Sequence, residues 1–139
     1  MNRLIPTILK TMLMGLAAVF LTLTPAQADV DKGKKNYKRC VSCHSLDKGA
    51  NGIGPSLHQV FGRKAGSLPK FKYSKGMKAA AKKGLVWNRE NLMGYLKHPR
   101  KFLKKYLEVK SVSNKMNNRF KKKKFRKNLI DYLESLAKK

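Results

Sequence analysis

The chain contains only two cysteines, and both lie in the run Cys40-Val41-Ser42-Cys43-His44. Two thiols this close cannot build a disulfide framework. A C-x-x-C-H sequence is instead the pattern of c-type haem attachment. The two-residue gap lets both sulfurs reach one edge of a porphyrin and add to its vinyl groups. The next residue, His44, then lies under the iron and can ligate it through a ring nitrogen. Two other uses of the spacing fit less well. A thioredoxin-like dithiol would sit beside a βαβ pattern, which is missing here. A zinc site needs four ligands, and His58 and His98 stand in no ligand-like spacing. The motif therefore predicts a fold wrapped around one covalently held haem.

Haem of this kind is attached outside the cytoplasm, and the N-terminus agrees. Residues 1–28 carry Arg3 and Lys10 and no acid. An apolar stretch, Met12 to Leu23, is followed by Pro25 and the small-x-small sequence Ala26-Gln27-Ala28. That order predicts a secretory signal peptide cleaved after Ala28. A retained membrane anchor is the alternative, but the stretch is short of the roughly 20 apolar residues that span a bilayer. The remaining chain, residues 29–139, is one domain of 111 residues. A chain of that size buries roughly 65% of its unfolded surface, so a prosthetic group in the core would help it fold.

Of 33 basic residues only two fall in the leader, and all seven acids lie beyond it, so residues 29–139 carry a net charge of +24. Seven carboxylates leave little material for paired acid–base catalysis. The 42% apolar content is too high for a disordered chain. The run Lys121-Lys122-Lys123-Lys124 with Arg126-Lys127 could meet anionic lipid or nucleic acid. A solvated face of a helix is the simpler reading of it.

The periodicity predicts an all-α chain. Val30, Gly33 and Tyr37 fall at helical spacing in a short helix over Asp31 to Arg39, with Asp31 as N-cap. Lys48 to Pro69 is rich in glycine and turn residues and predicts loops. A short helix over Tyr73 to Lys83 would be capped by Ser74. A stronger one over Asn88 to Lys97 would be capped by Asn88 and stopped by Pro99. Phe102 to Asn118 is charged and irregular. Phe125, Leu129, Tyr132, Leu133 and Leu136 mark the apolar face of a last amphipathic helix.

An iron held by His44 has a second axial position, for which His, Met or an open site are the usual options. Beyond the leader the methionines are Met77, Met93 and Met116. Met93 sits inside a helical apolar pattern and belongs to the core. Met77 follows a turn and could face either way. Met116 lies in a polar, loop-like stretch. That suits both a surface residue and a ligand-bearing strap over the haem.

Five stretches, in order, resemble class I cytochrome c of the mitochondrial or bacterial cytochrome c2 type. Gly33-Lys34-Lys35-Asn36-Tyr37 precedes the haem motif. Gly54-Pro55-Ser56-Leu57 is similar to the family's G-P-x-L. Phe61-Gly62-Arg63-Lys64-Ala65-Gly66 and Phe71-Lys72-Tyr73-Ser74 are similar to F-G-R-x-x-G and F-x-Y-S. Trp87, Leu92 to Leu96 and His98-Pro99 resemble the central helix. Lys115-Met116 resembles K-M, and Arg126 to Leu133 the last helix. The ordered set is far more specific than the haem motif alone.

The resemblance implies a cytochrome c fold of short helices and loops around one haem c. It implies Met116 as sixth ligand opposite His44, with the Pro55 carbonyl orienting His44. It implies Arg63, Tyr73 and Trp87 at a buried haem propionate, and Tyr95 near the ligand sulfur. Gly33 would let the first helix cross the last, with Tyr37 against Leu129 and Tyr132. Two departures stand out. Val112-Ser113-Asn114 replaces the family's P-G-T, after several extra lysine-rich residues between Pro99 and Lys115. Met77 falls where relatives often carry asparagine.

A haem with both axial positions filled has no place for substrate, so the expected role is one-electron transfer without catalysis. The implied partners are a quinol:cytochrome c oxidoreductase as donor and a terminal oxidase as acceptor, met by a monomer in the periplasm. A photosynthetic reaction centre is a further candidate. Basic residues around the haem edge would steer the protein to acidic docking faces. Lys38, Lys48 and Lys115 are the candidates, each near the haem motif or Met116 in sequence. The competing roles are a peroxidase or signalling haem protein, which needs a weak sixth position, and anion or lipid binding through the basic surface.

Overall fold

A computed structural model describes residues 25–138. Five helices follow one another: α1 (Pro25–Tyr37), α2 (Lys75–Lys82), α3 (Arg89–Lys97), α4 (Pro99–Leu107) and α5 (Lys123–Ala137). No strand forms among the described residues; a single antiparallel bridge joins Lys64 to Val86. The predicted all-α class holds, and the loops predicted over Lys48 to Pro69 lie within residues 38–74, which form no helix between α1 and α2. The first 24 residues of the predicted leader lie outside the described residues, and α1 runs across the predicted cleavage point. Among the described residues no helix is long and apolar enough to cross a membrane.

Three caps explain where helices begin. Ser74 accepts from the Met77 amide at 3.1 Å and starts α2. Asn88 accepts from the Asn91 amide at 2.8 Å and starts α3. Both match the predicted caps. Asp31 is not a cap: it lies inside α1, because no helix breaker separates it from Pro25. The larger correction is α4, in a region predicted to be irregular. Pro99 does end α3, but it also occupies the first turn of α4, where a missing N–H costs nothing. The His98 ring accepts from the Lys101 amide at 3.2 Å, and Leu103 is fully buried. His98 is thereby spent as a cap.

The core forms where α1 crosses α5. A Cβ on Gly33 would overlap the Asn128 carbonyl oxygen and come within 2.6 Å of the Tyr132 Cβ. Beside this crossing, the Tyr37 and Tyr132 rings lie 6.0 Å apart, as predicted. Asn36 donates to the Phe125 carbonyl at 3.1 Å. Lys127 bridges Asp29 and Asp131 at 2.8 and 2.9 Å, and Arg89 ties α3 to Asp131 and Glu134 of α5. Gly33→Ala is expected to destabilise the protein by about 2–3 kcal/mol, since backbone rather than a flexible side chain must yield. Guanidinium unfolding followed by helical circular dichroism would measure it.

The basic run at α5 is smaller than the sequence suggests. Arg126 is buried, donating to the Phe120 and Lys121 carbonyls at 2.6 and 2.7 Å, and Lys127 is engaged by two carboxylates. Lys121 to Lys124 remain exposed.

Candidate haem site

α1 runs out just before Cys40, and a tight turn follows. The His44 amide donates to the Cys40 carbonyl at 2.9 Å and the Cys43 amide to the same oxygen at 3.1 Å. The Tyr37 hydroxyl donates to the His44 carbonyl at 2.8 Å, fixing the motif to α1. Cys40, Cys43 and His44 thereby face one cavity of about 320 Å³. Cys40 and Cys43 are not joined to each other in a disulfide, so both sulfurs are available to a group in the cavity. Burial pushes the Cys40 thiol up to about 11. No group of three His, Cys, Asp or Glu placed to hold a metal ion together occurs among the described residues, and Cys40, Cys43 and His44 gain no fourth ligand of these types in the cavity.

Nδ1 of His44 lies 2.7 Å from the Pro55 carbonyl oxygen. A carbonyl only accepts, so the proton is on Nδ1 and the lone pair on Nε2 is left for a metal. Gly54 makes this possible. A Cβ there would stand 2.7 and 2.8 Å from the two ring nitrogens. The cradle is shaped around an oriented imidazole.

The apolar wall includes Leu57, Val60, Leu92, Leu96, Leu129 and Leu133. Arg63, Tyr73, Trp87 and Tyr95 also line the cavity, so the structure brings together every residue predicted for the site. Arg63 is held by its own loop: Nη1 donates to the His58 carbonyl at 2.7 Å and Nη2 to the Ser56 carbonyl at 2.9 Å. No carboxylate among the described residues lies within ion-pair distance of it. Burial pulls its guanidinium down from the usual range. A half-buried cation with only neutral partners suits an anionic group entering the cavity. Tyr73 accepts from the Leu68 amide at 3.4 Å, which leaves its own proton for another acceptor. Burial pushes Tyr73 up, so that proton is retained. Trp87 packs on Tyr95 with ring centroids 4.9 Å apart. An apolar slot with an Arg–Tyr–Trp end fits an apolar macrocycle that carries anionic groups, as haem does.

Of the three methionines, Met93 stays out of the cavity and packs on the core, as predicted. Met77 and Met116 both line it. Met77 is buried on α2, whereas Met116 is half-buried in an irregular strap. Sequence reasoning missed the mouth of the site: Ile53, 79% exposed, lines the cavity edge, and Val41 in the motif is also exposed. Lys115 is exposed, and its charge has a local partner that the sequence did not reveal. That ammonium turns back to the Lys72 carbonyl and lies 5.8 Å from the Phe71 ring centroid. Lys38 and Lys48 remain exposed.

Helices, cavity and motif together define a small all-α protein that carries one covalently attached c-type haem. The family model for cytochrome c matches residues 30–137, and the chain belongs to that family. It is similar to cytochrome c2 of Rhodopseudomonas palustris, 42% identical over 114 residues covering 78% of this chain and 98% of that one. It is 52% identical to cytochrome c2 of Afifella marina over 77 residues, which are 55% of this chain and 62% of that one. The solved structure of cytochrome c2 from Rhodospirillum centenum superposes with a TM-score of 0.74 at 35% identity, covering 78% and 98% of the two chains. The chain is a class I, cytochrome c2-like electron carrier and not an enzyme.

Proposed function

We propose that this protein is a periplasmic one-electron carrier whose haem is bound by Cys40 and Cys43 and ligated by His44 and Met116. The observation that carries the reading is the His44 Nδ1–Pro55 bond beneath a cavity that the Met116 strap also lines. When bound, the haem supplies a one-electron couple whose potential a thioether ligand raises. His44 is oriented by Pro55, so its lone pair needs no reorganisation. Arg63, Tyr73 and Trp87 offer a cation and two donors to the propionate end. The apolar wall keeps water from the ring, and Tyr95 stands beside the Met116 strap. Electrons would pass at the exposed edge near Cys43, Val41 and Ile53. A quinol:cytochrome c oxidoreductase and a terminal oxidase remain the proposed donor and acceptor, drawn by the basic surface.

Acid–acetone treatment of the purified protein is expected to leave the colour with the polypeptide. Mass spectrometry is expected to find Asp29 first, carrying one haem. Haem that extracts would overturn the roles of Cys40 and Cys43. An intact leader in the membrane fraction would turn the carrier into an anchored one.

A further inference from the structure

Val109 to Asn118 cross the cavity face between α4 and the chain leading into α5, and Met116 lies within them. The backbone of this strap is poorly provided for. The Val109 amide bonds back to Lys104 of α4, and the next backbone–backbone bond runs from the Phe120 amide to the Leu96 carbonyl at 2.9 Å. Residues 110–119 make none among the described residues. Backbone groups without such bonds depend on side chains or water. Three side-chain ties serve the strap. The Ser113 hydroxyl accepts from the Gly76 amide at 3.2 Å. The Lys115 ammonium donates to the Lys72 carbonyl. The third is a two-step chain. The Tyr95 hydroxyl donates to Asn114 Oδ1 at 3.1 Å, and Asn114 Nδ2 donates to the Met116 carbonyl at 2.5 Å.

These ties are unequal. Lys115 is exposed, where water replaces a lost bond cheaply; Ser113 is exposed too, and its bond to the buried Gly76 amide holds the strap three residues before Met116. Asn114 is half-buried, and its tyrosine partner is 7% exposed on α3. Burial pushes the Tyr95 hydroxyl up, so it stays protonated and donates. Hydrogen bonds away from water are worth more, and buried partners left without one cost more. Only the Asn114 chain reaches the backbone of Met116 itself. The start of the strap is also fixed. Lys83, which caps the end of α2, pairs with Glu108 at 2.9 Å, and Tyr106 donates to the Lys83 carbonyl at 3.4 Å. The inserted helix α4 thus delivers the strap from a held end, and Asn114 fastens it at the ligand.

We propose that Asn114 is the lock of the Met116 strap, joining the Tyr95 hydroxyl of α3 to the Met116 carbonyl and so setting how often the strap opens. Asn114 is a positioning residue and acts through Met116. This rests on the reading of Met116 as axial ligand.

Imidazole binding to the oxidised holoprotein, followed by stopped flow at saturating imidazole, reports strap opening. Amide hydrogen exchange across residues 110–118 reports the same opening without reference to the haem. Asn114→Leu is expected to raise both by about tenfold, as loss of one partly buried hydrogen-bond chain implies. Asn114→Asp keeps an acceptor for Tyr95 but loses the donor to Met116, and is expected to open as fast. Ser113→Ala is expected to change either rate less than twofold. Tyr95→Phe should accelerate opening in the native background and add nothing to Asn114→Leu. Equal acceleration in both backgrounds would mean that Tyr95 acts without Asn114 and would overturn the lock. So would Asn114 variants with native opening rates, or a Ser113→Ala effect as large. A native protein without the far-red band of iron–thioether bonding would instead overturn the ligand reading, and strap exchange in the Asn114 variants would still decide the lock.

Discussion

Met116→Ala is expected to abolish the far-red absorption band of the oxidised protein and to lower its midpoint potential by about 0.2 V, within the roughly 0.8 V that axial ligands span. Thioether sulfur is a soft ligand that favours the ferrous state, so its loss favours the ferric one. Met116 is half-buried in a strap without regular structure, so the fold should survive its truncation. Met77→Ala is the control. Met77 is 6% exposed on α2, so truncation is expected to cost about 2–3 kcal/mol of stability. It should leave the band intact. The opposite pattern, with the band lost at Met77 and kept at Met116, would reassign the sixth ligand. A visible spectrum and a redox titration of the two variants settle the matter.

The rate of electron transfer with an acidic partner is expected to fall about 10- to 100-fold between low salt and 0.5 M salt, as expected for steered encounters. The charge of residues 29–139 is +24, and its acids are unevenly placed. Asp29, Asp131 and Glu134 are paired with Lys127, Arg89 and Lys138 along α1 and α5. Glu108 is paired with Lys83. These pairs cancel charge locally and leave lysines such as Lys38 and Lys48 to shape the field near the motif. Lys38→Glu and Lys48→Glu should therefore slow the reaction more than Lys138→Glu. Lys115→Glu should behave differently, because it breaks a strap tie as well as removing charge. Stopped-flow rates across a salt series test this. A rate independent of salt would remove steering from the account, and equal effects at Lys48 and Lys138 would mean that only net charge counts.

The missed helix α4 shows where sequence reasoning fell short. The residue pattern predicts a stop at Pro99, although a capping side chain before a proline is also a start signal. Phe102, Leu103, Tyr106 and Leu107 carry a helical stripe, hidden among lysines that made the segment look irregular. The strap chemistry was less accessible still. Asn114 and Tyr95 are separated by 18 residues, and nothing in either neighbourhood announces that they meet. The same holds for Lys115, whose exposure in sequence gave no hint of Lys72. Arg126 belongs by sequence to a run of surface charge, whereas the fold buries it against two carbonyls.

What the sequence determines by itself is the chemistry that short spacing dictates. Cys40, Cys43 and His44 sit within one turn, so their joint presentation needs no knowledge of the rest of the chain. Caps at Ser74 and Asn88 and the stripe of the last helix are likewise local, set by bonds within three or four residues. The tertiary structure alone decides which side chains from distant segments converge. Pro55 meets His44, Arg63 is left without a carboxylate among the described residues, Met116 and Met77 reach the cavity while Met93 does not, and Asn114 bridges Tyr95 to Met116. Those outcomes depend on how α1 crosses α5 and how the strap is fastened. The packing of several elements at once sets them, and no local pattern of residues encodes it.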